Sequence, residues 1–274
     1  MSGNSALKVK INGKAYEAEK DEYILEVCRR NCIPVPTLCH HDSLSGLGAC
    51  RLCVVEVNEG NGNKVVVSCV YPLNRDCEVF TDSEKIKGIR KTILSMLRTR
   101  APEGDLLAAL CQMYGVAEEK RFTVSRPEKG VTESPAAKRL SAACILCGRC
   151  ALACSSLGTG AISTMGRGTI KKVSTPYDEA SADCIGCGSC AEVCPTKAIE
   201  YRETKGQRSI WGRDFKILSC TACGKDFATE EEYTFARKKA ARETAGETLP
   251  SVLCETCRRR KSSDVFAAAF GERI

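Results

Sequence analysis

A chain of 274 residues is long enough for about two to three small domains, but with 5% aromatic against 43% hydrophobic side chains its cores lean on aliphatics and need further staples. The formal charge of +7 would suit a polyanion, yet that sum counts all 20 cysteines as neutral thiols. No run approaches the ~18 apolar residues of a membrane span, and residues 1–21 lack a signal peptide's apolar core. The expectation is a cytoplasmic protein, where cysteines at this density are deprotonated metal ligands before they are disulfides.

Leu7-Lys8-Val9-Lys10-Ile11 and Ala15-Tyr16-Glu17-Ala18 alternate on either side of Asn12-Gly13, which predicts a β-hairpin. Asp21 is the expected cap of a helix carrying Ile24, Leu25, Val27 and Cys28, which Pro34 and Pro36 end. Cys39-x10-Cys50-x2-Cys53-x15-Cys69 then sets three thiols around the loop Ser45-Gly46-Leu47-Gly48-Ala49 and the fourth after the β-rich Val65-Val66-Val67-Ser68. A loop that folds its amides toward bridging sulfides needs small residues, so the set reads as a [2Fe–2S] site, with zinc as the alternative. His40 and His41 adjoin Cys39, but the four-cysteine set is complete without them, so a Rieske centre is not expected. Cys28, Cys32 and Cys77 belong to no complete set and are expected to pack in the core.

From Ser83 to Arg100, Ile86, Ile89, Ile93, Met96 and Leu97 recur at helical spacing among lysines and arginines, which predicts an amphipathic helix with a solvated basic face. Residues 117–138, with Arg126-Pro127-Glu128-Lys129-Gly130, read as a linker. There follow Cys144-x2-Cys147-x2-Cys150-x3-Cys154 and, 29 residues on, Cys184-x2-Cys187-x2-Cys190-x3-Cys194-Pro195. This is the two-cluster ferredoxin signature, in which the fourth cysteine of each run reaches the other cluster. Cys144, Cys147, Cys150 and Cys194 are therefore expected to hold one [4Fe–4S] cluster, and Cys184, Cys187, Cys190 and Cys154 the other. Met165 to Thr169 is expected to turn a small hairpin between the halves, and Ser155 stands where the motif has proline.

Cys220-x2-Cys223 and Cys254-x2-Cys257 form two knuckles 30 residues apart, the pattern of a tetrahedral zinc ribbon, with iron as the alternative. A charged helix capped by Thr229 is expected between them, and Arg258-Arg259-Arg260-Lys261 is expected to be solvated. Four sites of net charge about −2 bring the formal +7 to roughly −1, so the basic total is no argument for nucleic acid.

The x10 gap after Cys39, in the stretch Pro36-Thr37-Leu38-Cys39-His40-His41, resembles the [2Fe–2S] domain that opens the large iron–sulfur subunit of respiratory complex I, shared with diaphorase subunits of NAD-linked hydrogenases and with some NAD-dependent formate dehydrogenases. The resemblance covers roughly residues 7–203 and departs at one place. Those subunits carry one His and three Cys ligands for an extra [4Fe–4S] cluster, where this chain has Asp105 and only Cys111 before Tyr114-Gly115-Val116. That cluster is expected to be deleted.

The expected fold is α+β in four parts: a β-grasp [2Fe–2S] ferredoxin domain (1–82), connecting helices and linker (83–138), a two-[4Fe–4S] ferredoxin domain (139–205) and a zinc-ribbon-like domain (206–274). No G-x-G-x-x-G follows a strand and no Walker A loop is present, so the chain has no substrate-converting site of its own. The resemblance implies a hetero-oligomeric complex in which this subunit relays single electrons between an NAD(P)H-oxidising flavoprotein and a hydrogenase, formate dehydrogenase or ferredoxin, flavin-based bifurcation being one setting. The alternatives are an iron–sulfur redox sensor and a free polyferredoxin.

Overall fold

Asn12 and Gly13 both take positive φ, 48° and 86°, so β1 (Leu7–Ile11) and β2 (Lys14–Ala18) close as the predicted antiparallel hairpin. The computed structural model describes residues 6–116, 141–244 and 252–270, and the linker expected at 117–138 lies outside them. Helix α1 (Ile24–Arg30) buries Ile24, Leu25, Val27 and Cys28. Its cap is Tyr23 rather than Asp21, with Glu26 accepting from the Tyr23 N–H at 3.0 Å. Asp21 is diverted because its own N–H donates to the Leu73 carbonyl at 2.7 Å, which holds it in a left-handed turn at φ 67°. The helix stops at Asn31, whose side-chain amide donates to the Val27 carbonyl. Cys32 then turns outward at φ 55° and is exposed, so core packing holds for Cys28 and Cys77 but not for Cys32.

Strands β3 (Val54–Asn58), β4 (Asn63–Val67) and β5 (Cys77–Phe80) complete a five-stranded sheet of order β2-β1-β5-β3-β4, in which the β1–β5 pair is parallel. Val9, Ile11, Val55, Val57 and Val79 of this sheet meet Ile24 and Val27 of α1 in one core. That is a β-grasp, and it leaves the loop from 37 to 53 wrapped against one end of the sheet.

Ser83 caps α2 (Glu84–Arg100), its hydroxyl accepting from the Ile86 N–H. The helix is turned differently from its hydropathy: Ile86, Arg90, Leu94 and Ser95 are buried, whereas Met96 is 49% exposed. Arg90 decides the rotation. Its guanidinium is 1% exposed and donates to the carbonyls of Leu52 (3.1 Å) and Val54 (2.9 Å) on either side of Cys53, and to the Tyr114 hydroxyl (3.4 Å). A buried cation is tolerated only where such acceptors, or a negative charge, replace its water. Helix α3 (Asp105–Met113) packs back on α2 through Leu94, Leu107 and Cys111. Asp105 opens that helix, and the Cys111 thiol points at the Leu94 carbonyl, so neither stands in a ligand set among the described residues.

The second half repeats one design. Gly148 and Gly188, both left-handed (φ 81° and 77°), start α4 (Arg149–Leu157) and α5 (Ser189–Glu192). Between them β6 (Ser163–Met165) and β7 (Lys172–Ser174) form the predicted small hairpin. A four-stranded antiparallel sheet follows, β8 (Tyr201–Thr204), β9 (Gln207–Ile210), β10 (Arg213–Ser219) and β11 (Asp226–Thr229), running without a break through 205–206. Thr229 caps α6 (Glu230–Thr244) in a reciprocal box with Glu232, as the sequence predicts. The last described element is α7 (Glu255–Phe270), on which Arg258 to Lys261 are exposed. Among the described residues no helix is long and apolar enough to cross a membrane.

Candidate metal centres

Cys39, Cys50, Cys53 and Cys69 are all at most 5% exposed, three from the 37–53 loop and the fourth from the 3₁₀ turn Ser68–Val70 that ends β4. The Cys50 N–H donates to the Cys39 sulfur at 3.3 Å, and both the N–H and the hydroxyl of Ser68 donate to the Cys53 carbonyl, tying the turn to the loop. The Cys39 thiol hydrogen-bonds Cys50 and pulls it down to about 6, and the Cys69 thiol does the same to Cys53, down to about 7. Cys39 and Cys69, as donors in buried sites, are pushed up. The four sulfurs thus compete for protons, which is the donor set a cation displaces them from. Gly46 and Gly48 do what the loop requires: a Cβ on Gly46 would lie 3.0 Å from the Cys69 carbonyl oxygen, and Gly48 sits at φ 56° with its Cβ position 3.2 Å from Val70.

His40 and His41 stand outside this group. Burial lowers the pKa of His40, whose Nδ1 is 3.6 Å from Asp42, and His41 accepts from the Ser43 N–H.

In the second half the chain crosses over. One cavity is lined by Cys144, Cys147, Cys150 and Cys194, and another by Cys154, Cys184, Cys187 and Cys190. Each cavity therefore takes three sulfurs from one run and the fourth from the other. Desolvation pushes Cys147 up to about 11 and Cys190 up to about 12, so these thiolates are costly to keep charged here without a cation. Arg149, between Cys147 and Cys150, is 9% exposed and donates to the carbonyl of Leu38, the neighbour of Cys39, while its Nε has no hydrogen-bond partner among the described residues. This side chain links the first cavity to the four-thiol loop. A buried guanidinium with an unpartnered Nε beside thiols fits a negatively charged group between them.

The second cavity is gripped from outside the motif. Arg213 donates to the carbonyls of Ser181, Ala182 and Cys184, Arg208 to that of Gly186, and Thr229 to that of Ile185. Trp211, 2% exposed, donates its indole N–H to the Cys190 sulfur at 3.3 Å. None of these residues belongs to a cysteine motif, and neither does Arg90. The one sequence signal was that Trp211 is the chain's single tryptophan.

At the far end of the sheet, Cys220, Cys223, Cys254 and Cys257 bring their sulfurs within 4.8 Å of one another. The first knuckle turns through Gly224 (φ 71°), whose N–H donates to the Cys220 carbonyl, and Thr221 joins it to the second through the Val252 carbonyl. Backbone N–H donation, first from Cys254, lowers Cys220 to about 6.

With this geometry in view the matches to known proteins are consistent. Residues 4–84 match a 2Fe-2S iron-sulfur cluster binding domain, and residues 138–201 and 183–228 match two 4Fe-4S dicluster domains. The chain is 30% identical over 180 residues to the NADH-ubiquinone oxidoreductase 75 kDa subunit of Reclinomonas americana, covering 62% of this chain and 26% of that one. It is 33% identical over 191 residues to the NADP-reducing hydrogenase subunit HndD of Solidesulfovibrio fructosivorans, covering 64% and 32%. It thus spans about a quarter to a third of these relatives. Among solved structures, a chain of an NAD+-reducing [NiFe]-hydrogenase in the H2-reduced state superposes with TM-score 0.59 at 25% identity, covering 71% of this chain and 86% of that one. The chain is an iron–sulfur protein built from a 2Fe-2S cluster binding domain and a 4Fe-4S dicluster domain, and a homologue of the complex I 75/78 kDa subunit and the NADP-reducing hydrogenase subunit.

Proposed function

We propose that this chain is the electron-transfer subunit of a hetero-oligomeric NAD(P)-linked oxidoreductase, passing single electrons between a flavoprotein and a terminal oxidoreductase or ferredoxin in the cytoplasm. Cys39, Cys50, Cys53 and Cys69 hold the [2Fe–2S] cluster. Cys144, Cys147, Cys150 and Cys194 hold one [4Fe–4S] cluster, and Cys184, Cys187, Cys190 and Cys154 the other. Cys220, Cys223, Cys254 and Cys257 hold zinc, which suits a tetrahedral four-thiolate site closed to substrate. When bound, the three clusters supply one-electron redox chemistry and nothing else.

The residues of the chain keep those sites dry, rigid and close. Arg149 carries most of the argument: one buried guanidinium spans from between Cys147 and Cys150 to the carbonyl next to Cys39, so the [2Fe–2S] loop and the first cubane loop are a single packed unit. Arg90 holds the carbonyls on both sides of Cys53, and its charge is opposite to that of a four-thiolate cluster.

Two outcomes test the reading. Anaerobically purified chain is expected to contain about ten irons, two in one site and eight in the paired cubanes, and about one zinc. About fourteen irons without zinc would replace the zinc assignment by a further cluster. Hydride transfer from a nicotinamide moves two electrons and each cluster carries one, so a flavin must stand between them. The isolated chain, free of flavin, is therefore expected to bleach with dithionite and to stay oxidised with NADH or NADPH until a flavoprotein partner is added. Rapid bleaching by a nucleotide alone would sink the relay reading.

A further inference from the structure

We propose that Trp211 is a positioning residue that raises the reduction potential of the site formed by Cys154, Cys184, Cys187 and Cys190. The inference rests on the reading that a [4Fe–4S] cluster is held there.

Trp211 and Gly212 are the two central residues of the β9–β10 hairpin, in which Ile210 pairs with Arg213. Both have positive φ, 52° and 72°, the I′ pattern that favours Asn-Gly, Asp-Gly or Gly-Gly. A bulky aromatic side chain in the left-handed region is an outlier, and such strain persists where the surroundings over-determine it. Here they do. The hairpin is anchored on both sides of its tip, by Arg208 to the Gly186 carbonyl and by Arg213 to the carbonyls of Ser181, Ala182 and Cys184. Phe215 is fully buried against Gly186. The anchored tip delivers the indole into the cavity wall, with its N–H on the Cys190 sulfur at 3.3 Å.

Among the described residues this is the only side-chain N–H donated to any of the twelve cysteines of the three iron–sulfur sites. The other donors to those sulfurs are backbone N–H groups, such as those of Cys50 on Cys39, Ala198 on Cys194 and Gly186 on Cys184, and hydroxyls or thiols, such as Thr159 on Cys154 and Thr196 on Cys194. Reduction of the site adds one electron, makes and breaks no bond and takes up no proton. The negative charge spread over the iron, the sulfide and the four thiolates grows by one. A fixed N–H aimed at one of those sulfurs binds the more negative state more strongly, so it favours the reduced site. A tryptophan needed only for volume would gain nothing from occupying a turn position that strains it.

The test is a dye-mediated redox titration of the anaerobic full chain, read by EPR and paired with iron analysis. In Trp211→Phe, iron content is expected to stay at about ten per chain. One cubane midpoint is expected to fall by about a tenfold loss of electron affinity, which for a one-electron couple is about 59 mV, while the other cubane and the [2Fe–2S] midpoint stay in place. Unchanged midpoints at full iron content would overturn the proposal. Because Trp211 is the chain's single tryptophan, growth on 5-fluorotryptophan alters one indole N–H in the chain and adds only a single fluorine atom to the ring. Its more acidic indole is expected to move the same midpoint upward, and this measurement decides the matter if the Phe variant loses its cubane. A fluorinated chain with unmoved midpoints would overturn the proposal too. A chain that loses no iron in Cys187→Ala would instead remove the cubane at this site, and the inference with it, at the iron analysis.

Discussion

Changing Cys194 to Ala is expected to empty the site of Cys144, Cys147 and Cys150, fifty residues upstream in the motif, rather than that of its sequence neighbours. Cys194 lies four residues from Cys190, and a nearest-neighbour reading would give it to the Cys184 run. The structure puts its sulfur in the cavity with Cys144, Cys147 and Cys150, and puts Cys154 with Cys184, Cys187 and Cys190. Three thiolates leave one iron corner of a cubane open, so iron is expected to fall from about ten to about six per chain. Double variants separate the two pairings. Cys194→Ala with Cys147→Ala acts twice on one site and is expected to stay near about six irons. Cys194→Ala with Cys187→Ala acts on both sites and is expected to leave about two, the [2Fe–2S] pair alone. If the second double variant kept about six irons while the first fell to about two, the crossing would be wrong.

Gly186→Ala is expected to be the most damaging change that touches no ligand. Gly186 sits at φ 68°, where a side chain costs about 1–2 kcal/mol, and a Cβ there would lie 2.5, 2.7 and 2.9 Å from three atoms of the Phe215 ring. The ring cannot yield, being fully buried in the core that also contains Cys150, Cys190 and Trp211. Overpacking of that kind adds about 1–3 kcal/mol. The total of about 2–5 kcal/mol falls on the loop that aims Cys184, Cys187 and Cys190. Gly206→Ala is the control, since it has φ 78° and nothing within 4 Å of its Cβ position, so it bears the backbone term alone. Thermal unfolding of holoprotein is expected to separate the two variants by at least about 1 kcal/mol, with loss of the second cubane in Gly186→Ala only. Equal stabilities and full iron in both would show that the Phe215 contact relaxes freely.

The features legible in the sequence are those whose physics is short-range. A C-x2-C step must turn tightly to point two sulfurs at one metal, and its spacing says so without any partner. Asn12-Gly13 specifies its turn by φ alone, and Ser83 and Thr229 each cap a helix through the N–H three positions on. The remaining features depend on groups far apart in the chain. Asp21 reads as a cap until the Leu73 carbonyl takes its N–H. The α2 stripe reads as Ile and Met, yet Arg90 goes inside because carbonyls 36 and 38 residues away replace its water. Arg149 and Trp211 are the clearest cases: the first meets its acceptor 111 residues away, and the second meets Cys190 across 21 residues from a turn that propensity would have filled with Asn. A buried polar group is stabilised by whichever acceptor the fold brings to it, and no window of local sequence contains that acceptor.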